Sequence, residues 1–182
     1  MLKITALAVL ALMLANSVAM AQAPAPPPDP APADVASPAA IVQAVYSVIS
    51  GPAGATRDWN RLRSLMVPGA VFCVTGVSKA GLLRTRTVSV EDYISGSSKA
   101  LAATGFYEHG VMGPTWRYAH IATVSSPYES RHAPGETPFE RGINVFQLAY
   151  DGARWRIISI AWEGETAAFP LPPDADALLR GK

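Results

Sequence analysis

ERGINVFQLAYDGARWRIISIAWEGE, residues 140–165, sets two β-rich runs, Ile143–Tyr150 and Ala153–Trp162, on either side of Asp151-Gly152. Asp-Gly suits a two-residue hairpin loop because both positions tolerate positive φ. With that loop Tyr150 faces Ala153, and the pairing counts back as Leu148/Trp155, Phe146/Ile157, Asn144/Ser159 and Gly142/Ala161. The other face then carries Ala149/Arg154, Gln147/Arg156, Val145/Ile158, Ile143/Ile160 and Arg141/Trp162. A one-residue bulge would scramble this segregation, so the plain turn is the preferred reading. The uncharged face predicts the covered one. On it Asn144 and Ser159 form a polar pair among apolar neighbours.

The chain start reads as a secretory signal over residues 1–21. Lys3 gives a positive n-region, Ile4–Leu14 the apolar stretch, and Ala19-Met20-Ala21 an A-x-A cleavage site, with the cut expected after Ala21. The expected location is periplasmic or secreted, with no membrane association after cleavage. Residues 22–37 are rich in proline and alanine and are expected to be an extended linker. Residues 38–166 suit one domain, followed by a proline-rich tail over 167–182. Loss of Lys3 leaves fourteen Lys+Arg against fourteen Asp+Glu. That balance argues against nucleic acid or an anionic membrane surface as partner. Cys73 is the single cysteine, so the fold stands without an internal disulfide. It lies in a strand-like run and reads as a buried small hydrophobe.

Ser37-Pro38 opens a first helix, with a capping hydroxyl before a proline at the first helical position, and Gly51-Pro52 ends it. A second helix follows Thr56 or Asp58 and closes at Pro68-Gly69. Ala70–Thr75 and Leu82–Val88 read as strands. Ser89-Val90-Glu91-Asp92 has a capping-box pattern opening a third helix that Gly105 ends. Phe106–Met112, Arg117–Arg131 and the hairpin supply further strands. Helices segregated from a mainly antiparallel sheet predict an α+β fold.

The order of elements, with Tyr128-Glu129-Ser130-Arg131, Arg141-Gly142-Ile143-Asn144, Gln147-Leu148, Asp151-Gly152, Arg154-Trp155, Ser159 and Trp162, resembles the nuclear transport factor 2-like (NTF2-like, SnoaL-like) superfamily over about Ile41 to Glu165. The likeness is to its small exported bacterial members of unassigned role. It implies a cone, with a curved sheet wrapped around three helices and an apolar pocket at the open end. It also implies pairing through the outer sheet face. The superfamily holds ketosteroid isomerase-like, scytalone dehydratase-like, polyketide cyclase-like and epoxide hydrolase-like enzymes beside non-catalytic binding modules, so fold alone assigns no reaction. None of their catalytic sets matches this sequence residue by residue.

Two classes of function therefore stay open. One is a module binding a small, largely apolar molecule or a partner, with no cofactor. Its expected wall is Asn144, Ser159, Phe146, Ile157, Trp59 and Tyr128; the alternative places Asn144 and Ser159 in a filled core, satisfying each other. The other is an isomerase, dehydratase or hydrolase using His109 or His120 with Tyr128 and with Asp58 as orienter, against structural roles for all four. Glu108 must point to the opposite face from His109, so these two cannot form a facing pair. No metal is expected, because His109, His120 and His132 share no ligand spacing. The hairpin's second face, with Ile143, Val145, Ile158 and Ile160 beside Gln147 and Arg156, predicts a homodimer.

Overall fold

Helix α1 (Pro38–Ile49) starts as its sequence dictates: Ser37 Oγ accepts from Ala40 N at 3.1 Å and Pro38 follows. Its apolar residues recur at helical spacing and bury Ile41, Val42, Val45 and Ile49. Asp58 caps α2 (Trp59–Leu65), accepting from Arg61 N at 2.9 Å. Ser89 caps α3 (Val90–Thr104), accepting from Asp92 N at 3.1 Å. Gly105 ends α3 at φ 71°, where a Cβ would come within 2.6 Å of the His132 carbonyl oxygen. This computed structural model describes residues 28–78 and 80–181. The expected signal peptide and its cleavage site lie outside the described residues, as do residues 22–27 of the linker.

Arg57 ties the helix ends together. It is 7 % exposed and donates to the carbonyls of Ile49 at 2.9 Å, Gly51 at 2.7 Å, Ala55 at 2.9 Å and Leu101 at 3.2 Å. Carbonyls at helix C-termini carry partial negative charge, and several of them together make a buried guanidinium tolerable without a carboxylate.

The strands are β1 (Met66–Val77), β2 (Leu83–Ser89), β3 (Tyr107–Gly110), β4 (Thr115–Tyr118), β5 (Ile121–Arg131), β6 (Glu140–Tyr150) and β7 (Trp155–Gly164). They form one open sheet in the order β2-β1-β7-β6-β5-β3, with β4 also paired to β5. β1 runs parallel to β7 and every other pair is antiparallel. Helices α1 to α3 pack on the inner face of this sheet, and the core lies between the two layers. The fold is α+β, as the sequence predicts.

Several expectations need correction. The hairpin loop is not Asp151-Gly152 alone. Asp151 Oδ1 accepts from Ala153 N at 3.0 Å and Arg154 N at 2.9 Å, which widens the loop to Asp151–Arg154 and pairs Tyr150 with Trp155. A bulge at Ile158 then separates the pairs Leu148/Ile157 and Gln147/Ser159. Together these shifts set Asn144 opposite Trp162, not Ser159. Trp155 and Ile157 face inward before the bulge, Ile160 and Trp162 after it. Ser159 turns to the outer face, where its hydroxyl donates to Gln147 Oε1 at 3.3 Å. Ile160 leaves the expected pairing face for the core.

The strand expected over Arg117–Arg131 is two, joined by a tight turn at Ala119-His120 with Ala119 at φ 46°. The expected linker ends in a 3-10 turn, Pro32–Val35, held by Asp34 on Arg61 at 2.7 Å with Val35 buried. The tail forms α4 (Pro173–Leu179), fastened by Arg141 to Asp176 and to Glu165. Cys73 is only partly buried and sits in register with Thr87 and Ala161, so it is not the core hydrophobe expected.

Candidate functional site

Strand β3 is only four residues long, but its alternation decides the site. Glu108 and Gly110 take the inner face; Tyr107 and His109 take the other. Ser50 Oγ, just past the end of α1, accepts from Glu108 N at 3.0 Å and fixes β3 against the helix layer. β5 places Ser126, Tyr128 and Ser130 on the inner face, and β6 places Gly142, Asn144 and Phe146 beside them. Register puts Ser130 directly opposite Glu108, Gly142 opposite Tyr128, and Asn144 opposite Ser126.

Two glycines make room for two phenols. A Cβ on Gly110 would lie 2.1 Å from Tyr46 Cζ, and one on Gly142 would lie 2.7 Å from the Tyr128 hydroxyl oxygen. With those Cβ atoms missing, Tyr46 descends from α1 onto the sheet and Tyr128 lies across β6. Between them is a cavity of about 180 Å³. Phe72, Tyr93, Phe106, Phe146 and Trp162 form most of its apolar wall, with Val45 and Ile49 of α1.

The polar groups form a directed chain. Asn144 Nδ2 donates to Tyr46 Oη at 3.1 Å and to Glu108 Oε1 at 3.0 Å. Ser126 Oγ donates to the Val111 carbonyl at 2.8 Å, so at 2.7 Å from Tyr46 Oη it must accept the phenol proton. Ser130 Oγ donates to Glu108 Oε2 at 2.9 Å, and Tyr128 Oη donates to Glu140 Oε1 at 2.7 Å. Glu108 thus meets two neutral donors and no cation. Burial pushes its carboxyl up from the usual range to about 7; the charge on Glu140 pushes the same way, while the Ser130 and Asn144 hydrogen bonds pull back. Burial likewise holds the Tyr46, Tyr93 and Tyr128 phenols above their usual range, so they stay neutral.

Of the residues expected at a site, Asn144, Phe146 and Tyr128 line this cavity. Ile157 is fully buried but stands outside the wall, and Trp59 packs edge-on behind Tyr93 at 6.5 Å. Ser159 is on the outer face. The expected acid–base set does not come together: Asp58 caps α2, His109 is exposed on the far side of β3, and His120 stacks on Tyr150 at 6.1 Å in the β4–β5 turn. Sequence reading missed Glu108, Glu140, Tyr46, Ser126 and Ser130 as site residues. The available signal was Gly110, two residues past Glu108 and therefore on its face, marking a close approach to the inner side of β3. Among the described residues no group of three or more His, Cys, Asp or Glu gathers as a metal site.

No protein-family model matches the chain, and no curated protein is similar to it in sequence. Solved structures do resemble it. A candidate calcium/calmodulin-dependent protein kinase type II association domain from Thiobacillus denitrificans superposes with a TM-score of 0.52 at 12 % identity, over 71 % of this chain and 96 % of that one. An NTF-2 like protein of unknown function from Silicibacter pomeroyi gives 0.49 at 16 % identity, over 69 % and 91 %. The fold is NTF2-like. A candidate ketosteroid isomerase from Shewanella frigidimarina gives 0.46 at 12 % identity, over 68 % and 91 %. At such identities the likeness is one of fold alone, and it transfers no NTF2-like activity to this chain.

Proposed function

We propose that this chain is an exported NTF2-like protein of the SnoaL-like kind that binds a small, largely apolar molecule in the cavity between α1 and the sheet. The observation that carries the reading is the cavity itself: about 180 Å³, walled mainly by aromatic rings, with a few polar groups converging on it. An engineered apolar cavity of about 150 Å³ takes up benzene, so this space suits a single ring with a short arm. Indole is a suitable probe. Its addition should shift the amide resonances of Phe72, Phe146 and Trp162, and Val45→Trp, which fills the space from α1, should abolish the shift while the protein stays folded. Unchanged spectra at saturating indole would remove the reading.

The chain acts as a homodimer in this proposal, paired through the outer sheet face. Trp116, Tyr118, Ile121 and Ile158 are exposed there, and Ile143, Val145 and Ala161 are partly exposed beside them. Native mass spectrometry of exported material should give twice the mass of a chain beginning at Gln22. A monomer, or a chain retaining residues 1–21, would contradict assembly or export respectively.

A second reading, an isomerase-like or dehydratase-like enzyme, is favoured by one observation: the Glu108 carboxyl, shifted to about 7, faces the cavity. It would take a proton from carbon beside a carbonyl. Deuterium exchange into 2-cyclohexenone should then follow a pH profile with an inflection near 7 and fall in Glu108→Gln. Equal exchange rates in both proteins would leave binding alone.

A further inference from the structure

The cavity is one-sided in charge. Among the described residues Glu108 and Glu140 line it, and no Lys, Arg or His does. Neither carboxylate belongs to an ion pair among the described residues. Glu108 is half-buried between Ser130 and Asn144, whereas Glu140 is exposed and reaches in to Tyr128. The donors around them are already committed: the Tyr46 proton to Ser126, the Tyr128 proton to Glu140, and both Asn144 amide protons to Tyr46 and Glu108. What the cavity offers an occupant is therefore acceptors and negative charge. Beside them Phe72 and Tyr93 stack at 4.3 Å, and Trp162 meets both rings edge-on at 6.2 and 6.3 Å.

Resting on the reading of this cavity as a binding site, we propose that its ligand is a protonated amine, with the ammonium head held by Glu108 and Glu140 and a single-ring or short-chain apolar body against Phe72, Tyr93 and Trp162. An ammonium group carries three donors and no acceptor, the complement of what the polar side presents. It supplies the counter-charge a buried carboxylate lacks, and aromatic rings attract it where an anion would be repelled. With Glu108 ionised, a carboxylate or carbonyl head would find no uncommitted donor and would face two acids.

The pairing has a pH signature. The groups facing Glu108 are Ser130 and Tyr128 on β5, Asn144 and Glu140 on β6, Tyr46 on α1 and Tyr93 on α3. Of these Glu140 acts on it by charge, pushing its carboxyl up, while the three phenols are held neutral. With Glu108 titrating at about 7, the amine must displace a proton at lower pH. Its affinity should rise roughly tenfold from about pH 6 to about pH 8.

The experiment is calorimetric titration of the chain from Gln22 onward with 2-phenylethylamine, 2-phenylethanol and phenylacetate. The amine should bind roughly tenfold or more tightly than the alcohol at about pH 8, and phenylacetate more weakly than either. Glu108→Gln, which preserves shape, should weaken the amine roughly tenfold and the alcohol far less. Glu140→Gln, at the exposed rim, tests the second carboxylate in a position where folding is not at stake, and should weaken the amine alone. Alcohol binding equal to or tighter than amine binding, or a wild-type amine affinity that does not rise with pH, overturns the amine assignment while the cavity reading survives. Absence of binding by all three probes overturns both.

Discussion

Glu108→Gln should stabilise this protein, and by an amount that depends on pH. The half-buried carboxyl holds its proton more tightly folded than unfolded, with its folded pKa raised from 4.5 to about 7. Between those values the folded state binds more protons, so wild-type stability falls as pH rises through that window and levels off above about 7. At ~1.4 kcal/mol per tenfold, the whole fall comes to about 3 kcal/mol. Glutamine does not titrate. Its Oε1 can still accept from Asn144 and its Nε2 can donate to Ser130 Oγ, so both hydrogen bonds survive the change. Glu140, the other carboxylate among the described residues that line the cavity, is exposed and present in both proteins, so the comparison isolates Glu108. Urea unfolding of wild type and variant at about pH 4 and about pH 8 provides the measurement. The variant's advantage should be about 3 kcal/mol larger at the higher pH. Equal differences at both would mean that Glu108 is hydrated in the folded state, and the enclosed polar chain described above would not exist.

Two further changes probe the packing around that chain. Gly110→Ala places a Cβ 2.1 Å from Tyr46, which cannot retreat without breaking its bonds to Ser126 and Asn144. It should cost about 3 kcal/mol by urea unfolding, and a loss below ~0.5 kcal/mol would show the close approach to be absent. Asn144→Leu removes donors from both Tyr46 and Glu108 and should cost on the order of 1–3 kcal/mol in thermal or urea unfolding; unchanged stability would mean water already serves both groups.

Helices α1 and α3 were legible because their ends are local chemistry, whereas Pro68-Gly69, expected to close α2, lie inside β1. Ser37-Pro38, Ser89 with Asp92, and Gly105 each act within a few residues of chain, and each does in the structure what its type predicts. The hairpin existed where Asp151-Gly152 said it would, but its register did not follow. Asp151 can cap its own loop as easily as it can turn tightly, and nothing in IISI marks which isoleucine bulges. The site was hidden for another reason. Glu108 looks like an ordinary strand-edge acid until Tyr46, Ser130 and Asn144, drawn from 62 residues before it to 36 after it, close around it. A buried charge is a property of the enclosure, and four residues of β3 cannot announce one.

Arg57 fixes how the cavity's helical wall can move. Its guanidinium is shared between the last carbonyl of α1 and a carbonyl near the end of α3, so lifting either helix from the sheet breaks a bond to this one buried cation. Breathing of α3, which carries Tyr93, is thereby linked to breathing of α1, which carries Tyr46. The two helices should then open together, and amide protons in their last turns should exchange with solvent at a common free energy.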